Sequence, residues 1–163
     1  MKAAALTAIL CLSVTSAFAQ DSCDKLFHIS RTTETGKFAD KLNNAARVLA
    51  FGDEAQQLSA IEALVNADSP DSPNLDYLPH AAYFALKAGE RAKGERYLSR
   101  SEEIIRYLTS PARDCSTVSE NIKGLLCSDM YQGGLEQFVL NDRGFSMRVA
   151  SLRNGRCVPA SVD

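Results

Sequence analysis

From Phe38 to Leu152 the apolar residues return every third or fourth position, and this spacing limits the chain to helices more strictly than any other feature of the sequence. Phe38, Leu42, Ala45, Val48 and Leu49 form one stripe, with Gly52 as its stop. Asp53 followed by Gln56 has the form of a capping box for a second helix, whose apolar face is Leu58, Ile61, Leu64 and Val65. Asn66 to Asn74 is rich in proline, serine and aspartate and reads as a solvated loop; it lacks the alternating oxygen ligands and central glycine of a calcium loop. A third helix starts near Leu78 with Pro79 in its first turn, where the missing N–H costs nothing, and carries Ala81, Ala82, Ala85 and Ala88. A fourth runs from about Arg91 to Leu108 and ends before Pro111. Thr117 with Glu120 resembles a second capping box, and a segment from about Asp129 to Asn141 is helical in spacing but weakened by Gly133-Gly134. Phe145, Val149 and Leu152 predict a last short helix ending at Gly155, with a β-hairpin turning at Asn154-Gly155 as the alternative. The expected fold is all-α: an array or bundle of about six to seven short antiparallel helices stapled by two disulfides.

The first residues say where such a chain works. Lys2, an apolar run from about Ala3 to Val14, and Ala17-Phe18-Ala19 as a small-x-small site read as a secretory signal peptide over residues 1–19. The run is shorter than the roughly 20 residues a membrane-spanning helix needs, so the expectation is a periplasmic or secreted protein with no membrane anchor after cleavage. Residues 20–33 then form a poorly ordered N-terminal segment, and residues 34–163 a single helical domain. Losing Lys2 with the leader leaves 17 basic residues against 20 acidic ones, which gives no pull towards nucleic acid or an anionic membrane.

Cys23, Cys115, Cys127 and Cys157 follow the leader, an even set that favours disulfides in an oxidising compartment. Zinc needs close cysteine or histidine pairs, and none occurs, so no metal and no cofactor is expected. If the helix begun by Thr117 were continuous, about ten helical residues would hold Cys115 and Cys127 roughly 15 Å apart, beyond the reach of a disulfide. That predicts the pairs Cys23–Cys115 and Cys127–Cys157.

The stretch from Leu86 to Ile105 holds five basic residues (Lys87, Arg91, Lys93, Arg96, Arg100) and four acidic ones (Glu90, Glu95, Glu102, Glu103). So balanced a set is the solvated face of a helical hairpin turning at Gly89. Leu78, Ala82, Ala85, Gly89, Gly94, Leu98, Ser101 and Ile104 fall at spacings similar to a tetratricopeptide-type hairpin, in which small residues fix a tight crossing. The resemblance covers about thirty residues, lacks the proline expected at Arg106, and has no second copy at a spacing of about 34 residues. It implies that the first helix of the pair faces a concave groove, and it nominates Asp76, His80, Tyr83 and Lys87 as partner-binding residues on the side opposite the alanines.

Catalytic signatures are missing: there is no tryptophan for sugar stacking, no haem-attachment motif, and His28 and His80 stand alone. The expected function is therefore that of an exported helical binding protein, not an enzyme, engaging a protein or peptide partner. A small immunity or inhibitor protein against a toxin or hydrolase is the alternative, and an enzyme with an unrecognised site the second alternative.

Overall fold

The computed structural model describes residues 22–66, 74–128, 139 and 144–157. Residues 1–21, where the signal peptide is expected, most of the Asn66–Asn74 loop and nearly all of the glycine-weakened segment at 129–141 lie outside the described residues. Among the described residues the chain is helical without strands: α1 (22–26), α2 (Lys37–Phe51), α3 (Glu54–Val65), α4 (Leu78–Lys87), α5 (Arg91–Thr109), α6 (Glu120–Leu126) and α7 (Gly144–Arg153). Short 3-10 turns at Leu75–Tyr77 and Cys115–Thr117 lead into α4 and towards α6.

Local chemistry places the helix ends. Gly52 closes α2, donating its N–H to the Val48 carbonyl at 2.7 Å. Asp53 then opens α3 with a complete capping box: its carboxylate accepts from Gln56 N at 2.8 Å, while Gln56 Oε1 accepts from Asp53 N at 3.1 Å. The α4–α5 turn uses Gly89 at φ 76°, a left-handed conformation glycine adopts without strain. Gly155 at φ 68° terminates α7, so the helical reading of that segment holds over a hairpin. Thr117 is no cap: its hydroxyl donates to the Asp114 carbonyl, and α6 begins at Glu120 after an extended Ser119.

α2 and α3 form one antiparallel hairpin, α4 and α5 another; α3 packs on α4, and α7 lies against both α4 and α5. Gly94 sets the closeness of the second hairpin, because a Cβ there would sit 2.6 Å from Leu86 Cγ and 3.2 Å from the Ala82 carbonyl. The alanines at 81, 82 and 85 are fully buried, as a close crossing requires. Arg153 on α7 forks onto α5, with Nη2 2.7 Å from Glu102 Oε2 and Nη1 2.9 Å from Glu95 Oε2.

Two expectations fail together. The disulfides join Cys23 to Cys157 and Cys115 to Cys127, not Cys23 to Cys115 and Cys127 to Cys157. The continuous helix assumed between Cys115 and Cys127 does not exist: after the 3-10 turn, Val118 and Ser119 are extended, so the chain doubles back along the seven-residue α6. The Cα atoms of Cys115 and Cys127 are thereby 6.1 Å apart. Nor is the N-terminal segment loose, since Cys23, Phe27 and Ile29 belong to the core.

Candidate functional site

Of the four nominated residues, Asp76 sits in the 3-10 turn Leu75–Tyr77 and His80, Tyr83 and Lys87 on α4, and the face they were expected to expose is covered. All eight residues from Leu78 to Ala85 are buried, with Tyr83 1% and His80 4% exposed. A helix this apolar on every face belongs inside a fold, and its covering layer is the N-terminal segment. Phe27 stacks on Tyr83 with ring centroids 4.3 Å apart and meets His80 edge-on at 5.7 Å. The Tyr83 hydroxyl donates to Asp24 Oδ1 at 2.8 Å, and Lys87 Nζ lies 3.7 Å from the same oxygen. From the other side, Arg148 Nε on α7 donates to the Leu26 carbonyl at 2.9 Å.

Burial sets the charges here. The Asp76 carboxyl is pushed up to about 6 by desolvation. His80 is pushed down to about 3, first by burial and then by the Arg148 guanidinium, and its Nδ1 makes no hydrogen bond among the described residues. The imidazole is thus neutral and held as an aromatic wall. The expectation of a solvated groove lined by Asp76, His80, Tyr83 and Lys87 is corrected: while the segment is docked, only Asp76 and Lys87 keep part of their surface. The sequence reading passed over Asp24, Phe27 and Arg148. The signal for Phe27 was available, for Leu26, Phe27 and Ile29 are large apolar side chains three to six residues after a cysteine in an otherwise polar stretch.

The outer face of the first hairpin carries a cavity of about 680 Å³, an open trough lined by Asn44, Arg47 and Phe51 of α2 and by Ala55, Ser59 and Ala63 of α3. Phe51 stands at its rim, 83% exposed. Arg47 Nη2 donates to Asn44 Oδ1 at 2.9 Å, and no ion pair holds it among the described residues. Asp53, the only carboxylate of the trough among the described residues, is engaged in the α3 cap.

No group of histidine, cysteine, aspartate and glutamate among the described residues is arranged to hold a metal ion. No family model, curated protein or solved structure matches the chain, so the tetratricopeptide likeness rests on the spacing of the α4–α5 hairpin alone.

Proposed function

We propose that the chain is an exported α-helical interaction protein whose partner is another protein. The observation that supports this most directly is Phe51, a large aromatic left in solvent beside a trough floored by small side chains. Two disulfides suit an oxidising compartment, and no described helix is long and apolar enough to cross a membrane.

The occupant of the trough is an acidic amphipathic helix of the partner. The trough lies along two antiparallel helices, and Ala55, Ser59 and Ala63, four residues apart, let a third backbone come close. The charge on offer is the Arg47 guanidinium, which calls for a carboxylate on the incoming helix.

A photo-crosslinking amino acid placed at position 51 of the full exported chain tests the reading. The expected adduct maps to an acidic amphipathic helix in one partner, disappears when Ser59→Arg fills the trough, and weakens with Arg47→Glu. An adduct indifferent to Ser59→Arg, or one scattered over many unrelated proteins, overturns it.

A further inference from the structure

The two disulfides are nested, with the Cys23–Cys157 bond enclosing the Cys115–Cys127 bond. A chain threaded across a membrane amino terminus first presents its cysteines in the order Cys23, Cys115, Cys127, Cys157. An oxidant that meets thiols in that order first finds Cys23 with Cys115, and then Cys127 with Cys157. We infer that the exported chain depends on a second folding partner, a dithiol protein acting as a thiol–disulfide isomerase, to reach its native pairing. The inference rests on the export reading above and is independent of the trough on α2 and α3.

The order-of-emergence pairing is a closed trap. It consumes all four cysteines that follow the leader, so no thiol of the chain remains to start an exchange. An external thiolate resolves it in three steps, each forming one S–S bond and breaking one. The isomerase thiolate attacks Cys23 Sγ of the Cys23–Cys115 bond, giving a mixed disulfide and the Cys115 thiolate. That thiolate attacks Cys127 Sγ, forming Cys115–Cys127 and releasing the Cys157 thiolate. The Cys157 thiolate then attacks Cys23 Sγ of the mixed disulfide, forming Cys23–Cys157 and expelling the isomerase thiolate. No net electrons are transferred and the catalyst is regenerated.

The fold distinguishes substrate from product. The contacts of Asp24 with Tyr83 and Lys87 place Cys23 alongside the C-terminal half of α4, which the turn at Gly89 joins to the start of α5. Cys115 lies beside Tyr107, its Sγ 3.4 Å from the tyrosine hydroxyl, near the opposite end of α5. The helix between Arg91 and Tyr107 is about 24 Å long, against the roughly 7 Å that a disulfide allows between Cα atoms. A Cys23–Cys115 bond therefore holds the N-terminal segment off α4, leaving Phe27, His80 and Tyr83 uncovered and the wrong bond open to attack. In the native chain Cys23 is 2% and Cys157 6% exposed, so the correct bond is withdrawn from a protein thiolate once the segment docks.

The test is expression of the full chain with its own leader in exporting cells that keep their thiol oxidase, with and without their disulfide isomerase, read by non-reducing peptide maps of the exported protein. Cells with the isomerase should give Cys23–Cys157 and Cys115–Cys127. Cells without it should lose the Cys23–Cys157 peptide from the bulk of the protein and gain Cys23–Cys115, reversed by supplying the isomerase but not a form lacking its active-site cysteines. The double variant Cys23→Ser, Cys157→Ser keeps only a consecutive pair, so its Cys115–Cys127 bond should form equally in both cells, whether or not the variant folds. A native map at equal yield without the isomerase overturns the inference, as does a double variant as dependent on it as the natural chain. Retention of the chain inside the cell, seen by fractionation, overturns the export reading and this inference with it, while leaving the trough's affinity for an acidic helix to its own crosslinking test.

Discussion

Phe27 lies flat on Tyr83, their ring planes 6° from parallel and their centroids 4.3 Å apart, although the two residues are 56 positions apart in the chain. The contact converts α4 from the exposed wall of a groove into a central helix. It also ties the beginning of the folded chain to its middle, as Cys23–Cys157 ties it to the end.

Phe27→Ala should cost about 3–5 kcal/mol, the range for removing a fully buried aromatic, measured by urea denaturation with the disulfides intact. Phe27→Leu should cost less, because it keeps much of the volume. A loss below about 1 kcal/mol for the alanine variant would show that the segment is not part of the cooperative core.

The two disulfides should differ in worth. In the chain-entropy model, closing a loop with a sequence separation of 134 contributes about 5 kcal/mol, and closing one of 12 about 3 kcal/mol. Paired serine substitutions at Cys23 and Cys157 should therefore lower stability by about 2 kcal/mol more than those at Cys115 and Cys127. Equal losses in denaturant titrations would contradict this ordering.

Asp76 and His80 should pull stability in opposite directions with pH. Between about 3.8 and 6 the folded Asp76 keeps a proton that the unfolded chain has released, so its contribution falls as pH rises and its full cost is present above 6. His80 stays neutral in the fold down to about 3, whereas the unfolded imidazole is protonated below 6.5, so its contribution falls as pH drops through that window. Asp76→Asn should gain stability relative to the natural chain above pH 6 and gain none below pH 3.8. His80→Leu should remove the acid-side loss, leaving a profile that declines as pH rises from 4 to 6. Unfolding free energies at pH 3.5, 5 and 7 would show it; parallel profiles for all three proteins would contradict both assignments.

Gly94→Ala should destabilise by about 1–3 kcal/mol despite alanine's better helix propensity, because the new Cβ meets Leu86. In a Leu86→Ala background the same change should be neutral or stabilising, since the obstructing side chain is gone. A double-mutant cycle showing simple additivity would mean that the crossing does not depend on this contact.

Much of the fold was legible because it rests on near neighbours. Helices α2 to α5, the Asp53–Gln56 box, Pro79 in the first turn of α4 and the turns at Gly89 and Gly155 follow from interactions spanning at most four or five residues, which sequence spacing records directly. The cap at Thr117 failed because a distant group competed for that turn: Glu103 on α5 accepts from both the backbone N–H and the hydroxyl of Ser119. The disulfide partners, and which face of α4 meets solvent, depend on where residues far apart in sequence are placed, and no local periodicity carries that information. Lys87 and Asp76 made α4 read as amphipathic, while only the docking of Asp24 and Phe27 shows that its second face is interior. The sequence by itself determined helices, their ends and an oxidised cysteine set, through short-range sterics and hydrogen bonding. The tertiary structure alone decided the nested pairing, the sealing of α4 and the exposure of Phe51, because burial is a property of the assembled layers and not of any one helix.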